Sequence, residues 1–201
     1  GNRLARDLAD RLGGNAAITT PGDAMLGLAL DEPPVGWTLG TPETVKPATA
    51  ALLAGASARI EVEAGSAAWL TNSAIAQSED GSILITATAR EGANEDAISD
   101  GAETAITYHP PVLALGVGCE RGCPADDLYD LVMETLAGQC LSPKAIACVS
   151  SIDLKADETA VHELARRLGV PARFFDAQTL EAEANRLVTP SDVVFAETGC
   201  H

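Results

Sequence analysis

The chain has 201 residues, of which 46% are hydrophobic and only 3% aromatic, and its 13 basic and 29 acidic side chains leave a formal net charge of −16. That length and composition allow one or two domains with a core built from Ala, Leu, Val and Ile. So acidic a chain repels phosphate backbones and anionic lipid, and the few aromatics offer little stacking surface, which sets nucleic acid and membranes aside as partners.

In chain order, Asn2 is placed to cap a helix in which Leu4, Leu8 and Leu12 recur on one face, and Gly13-Gly14 ends it. Ala16–Thr19 reads as a short strand. A chain that opens Gly1-Asn2 straight into this helix, without Met and without a signal-like segment, points to a piece of something longer. From Thr20 to His109 the chain is punctuated by Pro21, Gly22, Pro33, Pro34, Gly36 and Pro42. Thr41-Pro42-Glu43 starts a helix carrying Val45, Ala48, Ala51 and Leu52 on one side, which Pro47 is expected to kink or break. Arg59–Glu63 alternates as a half-exposed strand, and Ile83, Ile85 and Ala87 share one face of another. Arg90–Glu103, acidic and rich in small residues, reads as a loop, and His109 before Pro110-Pro111 as a linker residue.

Beyond Pro111 strands and helices alternate. Strand Val112–Val117 precedes helix Pro124–Ala137, strand Ala145–Ile152 precedes helix Asp157–Leu168, and strand Ala172–Phe175 precedes helix Ala177–Arg186. Val193–Ala196 reads as a last strand. Short turns between them argue a mostly parallel sheet with covering helices and right-handed crossovers. The expected fold is α/β: a C-terminal three-layer domain with a mostly parallel sheet (110–201), preceded by a smaller α/β middle domain (21–109) and the remnant of an N-terminal domain (1–20).

Two strand-to-helix corners carry the chemistry, since ligands of open α/β sheets sit at strand carboxyl ends. In the first, Gly116-Val117-Gly118-Cys119-Glu120-Arg121-Gly122, glycines let backbone amides approach a ligand and Arg121 offers a donor fork suited to a carboxylate. A tight turn that needs glycine for its dihedrals explains Gly116 and Gly118 equally well. The second is Asp153-Leu154-Lys155-Ala156-Asp157-Glu158. Here Lys155 is suited to a carboxylate, and Asp153 or Asp157 to general acid or base work. Helix capping by Asp157, with Glu158 favouring the dipole, is the plainer role for those two.

The five cysteines (Cys119, Cys123, Cys140, Cys148 and Cys200) form no CxxC and no even framework, which fits a reducing compartment, the cytoplasm. Cys119-x-x-x-Cys123 without a second cluster reads as half-buried thiols rather than a metal pair. The reading calls for no metal and no cofactor. His109, His162 and His201 are scattered, and GxSxG, HExxH and P-loop motifs do not occur.

LGVGCERG (Leu115–Gly122), SIDLKADE (Ser151–Glu158), LGVPARFF (Leu168–Phe175) and TPSDVVFAETG (Thr189–Gly199) resemble the C-terminal domain of the CbiG/CobE family of cobalamin biosynthesis. ITTPGDA (Ile18–Ala24), Gly36-Trp37 and ETVKPATAALLAG (Glu43–Gly55) are similar to the family's middle region, and Gly1–Gly14 to the last helix of its first domain. The resemblance implies corrin-ring biosynthesis: CbiG proteins are cobalt-precorrin-5A hydrolases, which open a δ-lactone and release a two-carbon unit as acetaldehyde. CobE is the stand-alone C-terminal domain, and CbiG-like regions also occur fused to a precorrin methyltransferase. On that basis the partners are a tetrapyrrole (precorrin) intermediate and a precorrin methyltransferase. Gly116, Gly118, Arg121 and Lys155 would bind the substrate's carboxylates, while Asp153 or Asp157 would activate water and amides near Gly118 hold the oxyanion. The alternative is a non-catalytic module that holds precorrins and passes them on.

Overall fold

The computed structural model describes residues 2–16, 21–92 and 102–201, with the backbone alone for residues 2, 3, 6, 21 and 23. The expected cap side chain of Asn2, residues 17–19 of the first expected strand, and most of the Arg90–Glu103 loop lie outside these described residues. The chain divides into two compact units, Gly1–Val112 and Leu113–His201.

The first unit holds helices α1 (Asn2–Leu12), α2 (Pro21–Leu26), α3 (Pro42–Leu53) and α4 (Ala68–Thr71). Its strands are β1 (Thr38–Leu39), β2 (Ala58–Val62), β3 (Ile83–Ala87) and β4 (Thr104–His109). They form one sheet in the order β1-β4-β3-β2, with β2, β3 and β4 parallel and β1 antiparallel to β4. β3 is buried along its whole length, as befits the interior of a parallel sheet. Val45, Ala48 and Leu52 of α3 pack with Leu26, Leu30, Ile83, Ile85, Ile106 and Tyr108 in one core. The Tyr108 hydroxyl donates to the Leu30 carbonyl at 2.6 Å. Burial, and then the charge of Asp31, push that phenol well above its usual value, so it stays a donor.

Three points differ from what the sequence led us to expect. Pro47 does not break its helix: α3 runs unbroken through it. The ring lies on the exposed side of the helix, where water can satisfy the Glu43 carbonyl that lacks an amide partner. Second, the Thr104–His109 strand goes unrecognised in the sequence, although it is the strand that joins β3 to β1. Third, His109 is no linker residue. It ends β4, 3% exposed, with Nδ1 3.0 Å from the Thr88 carbonyl.

Gly81 shows how tightly β2 and β3 are joined. A Cβ there would lie 2.6 Å from the Ala58 carbonyl carbon and 2.6 Å from the Arg59 nitrogen, backbone atoms that cannot swing aside. Gly81→Ala should destabilise the first unit by about 1–3 kcal/mol, read as a lower urea midpoint. An unchanged midpoint would mean that the strand start relaxes freely.

The second unit is a three-stranded parallel sheet, β5 (Leu113–Gly116), β6 (Ile146–Ile152) and β7 (Ala172–Phe175), in the order β5-β6-β7. Its helices are α5 (Ala125–Gly138), α6 (Thr159–Leu168), α7 (Ala177–Glu181) and α8 (Asp192–Thr198), with short 3₁₀ turns at Pro143–Ala145, Asp153–Lys155 and Ala184–Arg186. Leu128, Val132 and Leu136 of α5 meet Val161 and Leu164 of α6 over Ile146 and Val149. Arg167 of α6 pairs with Asp126 of α5 at 2.6 Å and lies 5.2 Å from the Tyr129 ring centre. Gly116, Ser150 and Ile152 meet Leu180 of α7 and Val194 and Thr198 of α8 around a cavity.

The strand expected at Val193–Ala196 is corrected to helix. Ser191 Oγ accepts from the Val194 amide at 3.4 Å, Asp192 sits in the first turn, and Gly199 at φ +78° ends the helix in the left-handed region. Start and stop signals outweigh the β preference of Val-Val-Phe. The helix expected over Ala177–Arg186 is shorter, a single α segment followed by a 3₁₀ turn. Among the described residues no helix is long and apolar enough to cross a membrane.

Candidate functional site

The first corner extends the β5–β6 pairing past the end of β5. The Val117 amide donates to the Ser150 carbonyl at 2.9 Å, and the Ser151 hydroxyl donates to the Val117 carbonyl at 2.8 Å. Gly116 and Gly118 follow with ordinary negative or extended φ, and an added Cβ at either would meet nothing within 4 Å. Neither turn dihedrals nor packing therefore demands glycine at these two positions, and the space over their backbone is open. Gly122 differs: at φ +73° it does need glycine's conformational freedom. It closes a turn in which the Cys123 amide donates to the Glu120 carbonyl at 3.3 Å, and Pro124 then leads into α5.

The second corner leaves β6 through the 3₁₀ turn Asp153–Lys155. The Ala156 amide donates to the Asp153 carbonyl and the Glu158 amide to the Lys155 carbonyl, both at 2.9 Å. Asp157 does not cap the helix, which corrects the plainer of its two expected roles: α6 starts at Thr159, Glu158 holds the cap position, and no side chain caps it. The Asp157 carboxylate instead accepts from Arg121 Nη1 at 2.5 Å. Arg121 Nη2 donates to the Leu154 carbonyl at 2.7 Å. The Glu158 carboxylate, on a residue only 5% exposed, accepts from the Gly122 amide at 3.2 Å. Three hydrogen bonds thus run from Arg121 and Gly122 to the second corner, and the two corners stand side by side at one carboxyl edge of the sheet.

This arrangement assigns unequal chemistry to the expected site residues. Arg121 is occupied by Asp157 and Leu154, so a ligand carboxylate would share or displace those partners. Lys155 makes no ion pair among the described residues, and its charge is felt at both Cys119 and Asp157. Asp153 is exposed at the start of its turn. The Arg121 hydrogen bond, ahead of a backbone hydrogen bond and the guanidinium charge, holds the Asp157 carboxyl below its ordinary 3.8. A carboxylate so stabilised is a weak proton acceptor.

The sign of the pH dependence follows. Because the folded-state value is lowered, the contribution of the Arg121–Asp157 pair is complete above the ordinary value and is lost as pH falls through the lowered one. An NMR titration of Asp157 should show a midpoint below 3.8 that returns toward 3.8 in Arg121→Ala. A midpoint at or above that value in the unaltered protein would contradict the pairing.

The start of the first corner and the residues just before the second line a cavity of about 240 Å³ formed by Gly116, Val117, Ser150, Ser151, Ile152, Leu180, Val194, Thr198, Cys200 and His201. Its walls carry no carboxylate, lysine or arginine, and Cys200 is buried in them at 4% exposure. The edge therefore has a charged stretch and, next to it along both chain segments, a hollow without acidic, lysine or arginine side chains. The sequence offered no signal for the hollow, because its far wall comes from the helix misread as a strand and from Cys200 and His201. Among the described residues no group of three or more His, Cys, Asp and Glu could hold a metal ion.

Residues 113–201 match the family described as "Cobalamin synthesis G C-terminus". Protein CobE of Sinorhizobium sp is 48% identical over 89 residues, 44% of this chain and 58% of that protein. Cobalt-precorrin-5A hydrolase of Priestia megaterium is 26% identical over 217 aligned positions, spanning 100% of this chain and 56% of that protein. The chain thus spans little more than half the length of these two relatives. A solved structure of CobE, a protein of the cobalamin (vitamin B12) biosynthetic pathway, shares 37% identity over 43% of this chain and 64% of its own, with a TM-score of 0.41. Residues 113–201, the whole of the second compact unit, are thus similar to the C-terminal domain of CbiG proteins and to CobE.

Proposed function

We propose that this chain acts in corrin-ring biosynthesis, as the middle and C-terminal part of a cobalt-precorrin-5A hydrolase. It would bind a precorrin through the carboxylates at the macrocycle's edge, next to a precorrin methyltransferase. The observation that carries the reading is the meeting of the two corners, which brings Gly116, Gly118, Arg121, Asp153 and Lys155 to one edge. In this reading Lys155 and Arg121 take carboxylates of the tetrapyrrole. Open backbone at Gly118 faces the developing oxyanion, and Asp153 takes the proton from the water that attacks the lactone carbonyl. The lactone C–O bond then breaks to give a carboxylate and a hydroxyl on the two-carbon unit; that hydroxyl loses its proton and becomes an aldehyde carbonyl as the C–C bond to the macrocycle breaks, and the macrocycle takes up the electron pair and a proton.

A second reading is favoured by one observation. CobE of Sinorhizobium sp is 48% identical over 89 residues, a stretch as long as the unit that carries both corners. In that reading the unit holds a precorrin for transfer without hydrolysing it, with Asp157 occupied by Arg121 rather than free to act as a base.

Incubation of the full-length protein with the lactone intermediate separates the two. The hydrolase reading expects the tetrapyrrole to gain one water and lose the two-carbon aldehyde, a net loss equal to their difference in mass, as that product appears. A spectral shift of the tetrapyrrole at constant mass would reject hydrolysis in favour of the carrier.

A further inference from the structure

His201 lines the hollow and has no role in the chemistry above. Gly199, at φ +78°, turns the chain back along α8. His201 is then held from three sides. Its amide donates to the Glu181 carboxylate at 3.0 Å, and its ring stacks on Phe195 with centres 4.8 Å apart and planes 27° apart. Its Nδ1 lies 3.3 Å from the Ser191 carbonyl. A carbonyl oxygen only accepts, so Nδ1 carries the proton, and in the neutral ring Nε2 keeps its lone pair. Among the described residues nothing partners that lone pair. A histidine whose one ring nitrogen donates to a backbone carbonyl has the other oriented as metal-ligating histidines have it. The residue is half-buried, so a ligand can reach the ring from outside.

A hollow of about 240 Å³ is smaller than the pockets that enclose drug-sized ligands, about 300 Å³ and up, so a tetrapyrrole lies across its mouth instead of entering. Beside the hollow α8 leaves Val193, Val194 and Phe195 exposed, apolar surface that suits the flat face of a macrocycle. The hollow also takes in Gly116 and Val117, from the corner whose Arg121 and Gly122 form the clamp on the second corner. Apolar surface for a ring face, cations for its carboxylate edge and an imidazole therefore belong to one stretch of the second unit. A metal already held by the nitrogens of such a ring needs only one further side chain, as haem iron needs its proximal histidine.

We propose that His201 Nε2 is an axial ligand of the cobalt ion in a metallated tetrapyrrole lying across this hollow, and that the bond makes the site prefer the metallated macrocycle over the metal-free one. The bond forms by donation of the Nε2 lone pair to cobalt. A solvent molecule held at that axial position leaves, and no electron is transferred. The proposal rests on the tetrapyrrole reading above, which itself needs no bond to the metal.

The test titrates the full-length protein with cobyrinic acid in its cobalt(II) form, a corrinoid polycarboxylate with no nitrogen base of its own, and reads the electron paramagnetic resonance spectrum. The expected result is a nitrogen triplet on the cobalt lines that becomes a doublet when the protein's histidines carry the heavy nitrogen isotope. That comparison needs no substitution, so it decides even if a variant folds poorly. His201→Ala should lose the splitting and bind the cobalt form about tenfold more weakly, while its affinity for the metal-free corrinoid moves far less. His162→Ala should keep the splitting, since that ring already sits 2.8 Å from the Ala156 carbonyl through Nε2. The proposal is overturned if bound cobalt shows no nitrogen splitting, or if His201→Ala keeps it. Metal-free corrinoid that binds while bound cobalt stays unsplit removes this bond and leaves the function standing; binding of neither form removes both.

Discussion

Leu164→Ala is expected to lower the stability of the second unit by about 2–5 kcal/mol, because it removes a fully buried side chain from a core that has little else to fill the space. Leu164 is 0% exposed and packs with Leu128, Val132, Val149 and Val161, joining α6 to both α5 and the sheet. Small domains have about 5–15 kcal/mol in all, so this one truncation removes a large share. The loss reaches the site as well, since Asp157 and Glu158 immediately precede the first residue of α6, Thr159. Leu164→Met keeps most of the volume and should cost less than about 1.5 kcal/mol. Urea unfolding of the full chain, followed by a probe in the second unit, decides the matter. Equal midpoints for the two variants would show that α6 is not the keystone of this core.

Glu158→Ala is the second large effect, expected at about 1.5–3 kcal/mol, the range for hydrogen bonds to charged groups. The carboxylate is buried and accepts from the Gly122 amide, so its removal leaves that amide without its protein partner at the base of the clamp. Desolvating the carboxylate already costs something, which argues for the lower half of the range. Glu158→Gln keeps an acceptor oxygen in place and should fall between the unaltered protein and Ala. Hydrogen exchange at Gly122 should speed up in the order native, Gln, Ala. If Ala leaves both stability and exchange unchanged, the bond from Gly122 to Glu158 does not hold the corners together.

Much of the second unit was legible in the sequence because its punctuation is clean. Apolar runs at Leu113–Gly116 and Ile146–Ile152 end in glycine or charge, Pro124 opens one helix, and Gly169 closes another in the left-handed region. Two segments misled. Val193–Ala196 looks like strand by residue type, but Ser191 and Gly199 fix it as helix, and Val193 and Phe195 stay exposed. Thr104–His109 was hidden because Thr107 and His109 are polar yet buried, so neither the alternation of a surface strand nor the apolar run of a central one appears. His109 can sit there because the Thr88 carbonyl partners its ring.

The site was legible as two charged corners and not as a clamp. Spacing along the chain shows Arg121 and Lys155 as the cations near the strand ends. It does not show that a guanidinium will find a carboxylate 36 residues away in sequence. Likewise, Asp157 next to a helix start resembles a cap, and only the 3₁₀ turn at Asp153–Lys155, which sets where α6 begins, removes it from that position.

The most direct measurement is the affinity of the full-length protein for a polycarboxylate precorrin at low salt, compared with Lys155→Ala and Arg121→Ala. An exposed cation facing a carboxylate contributes about 0.2–1 kcal/mol, so each variant should bind up to about fivefold more weakly, with the difference shrinking as salt is added. Unchanged affinity in both variants would mean that the macrocycle's carboxylates do not meet this edge of the sheet.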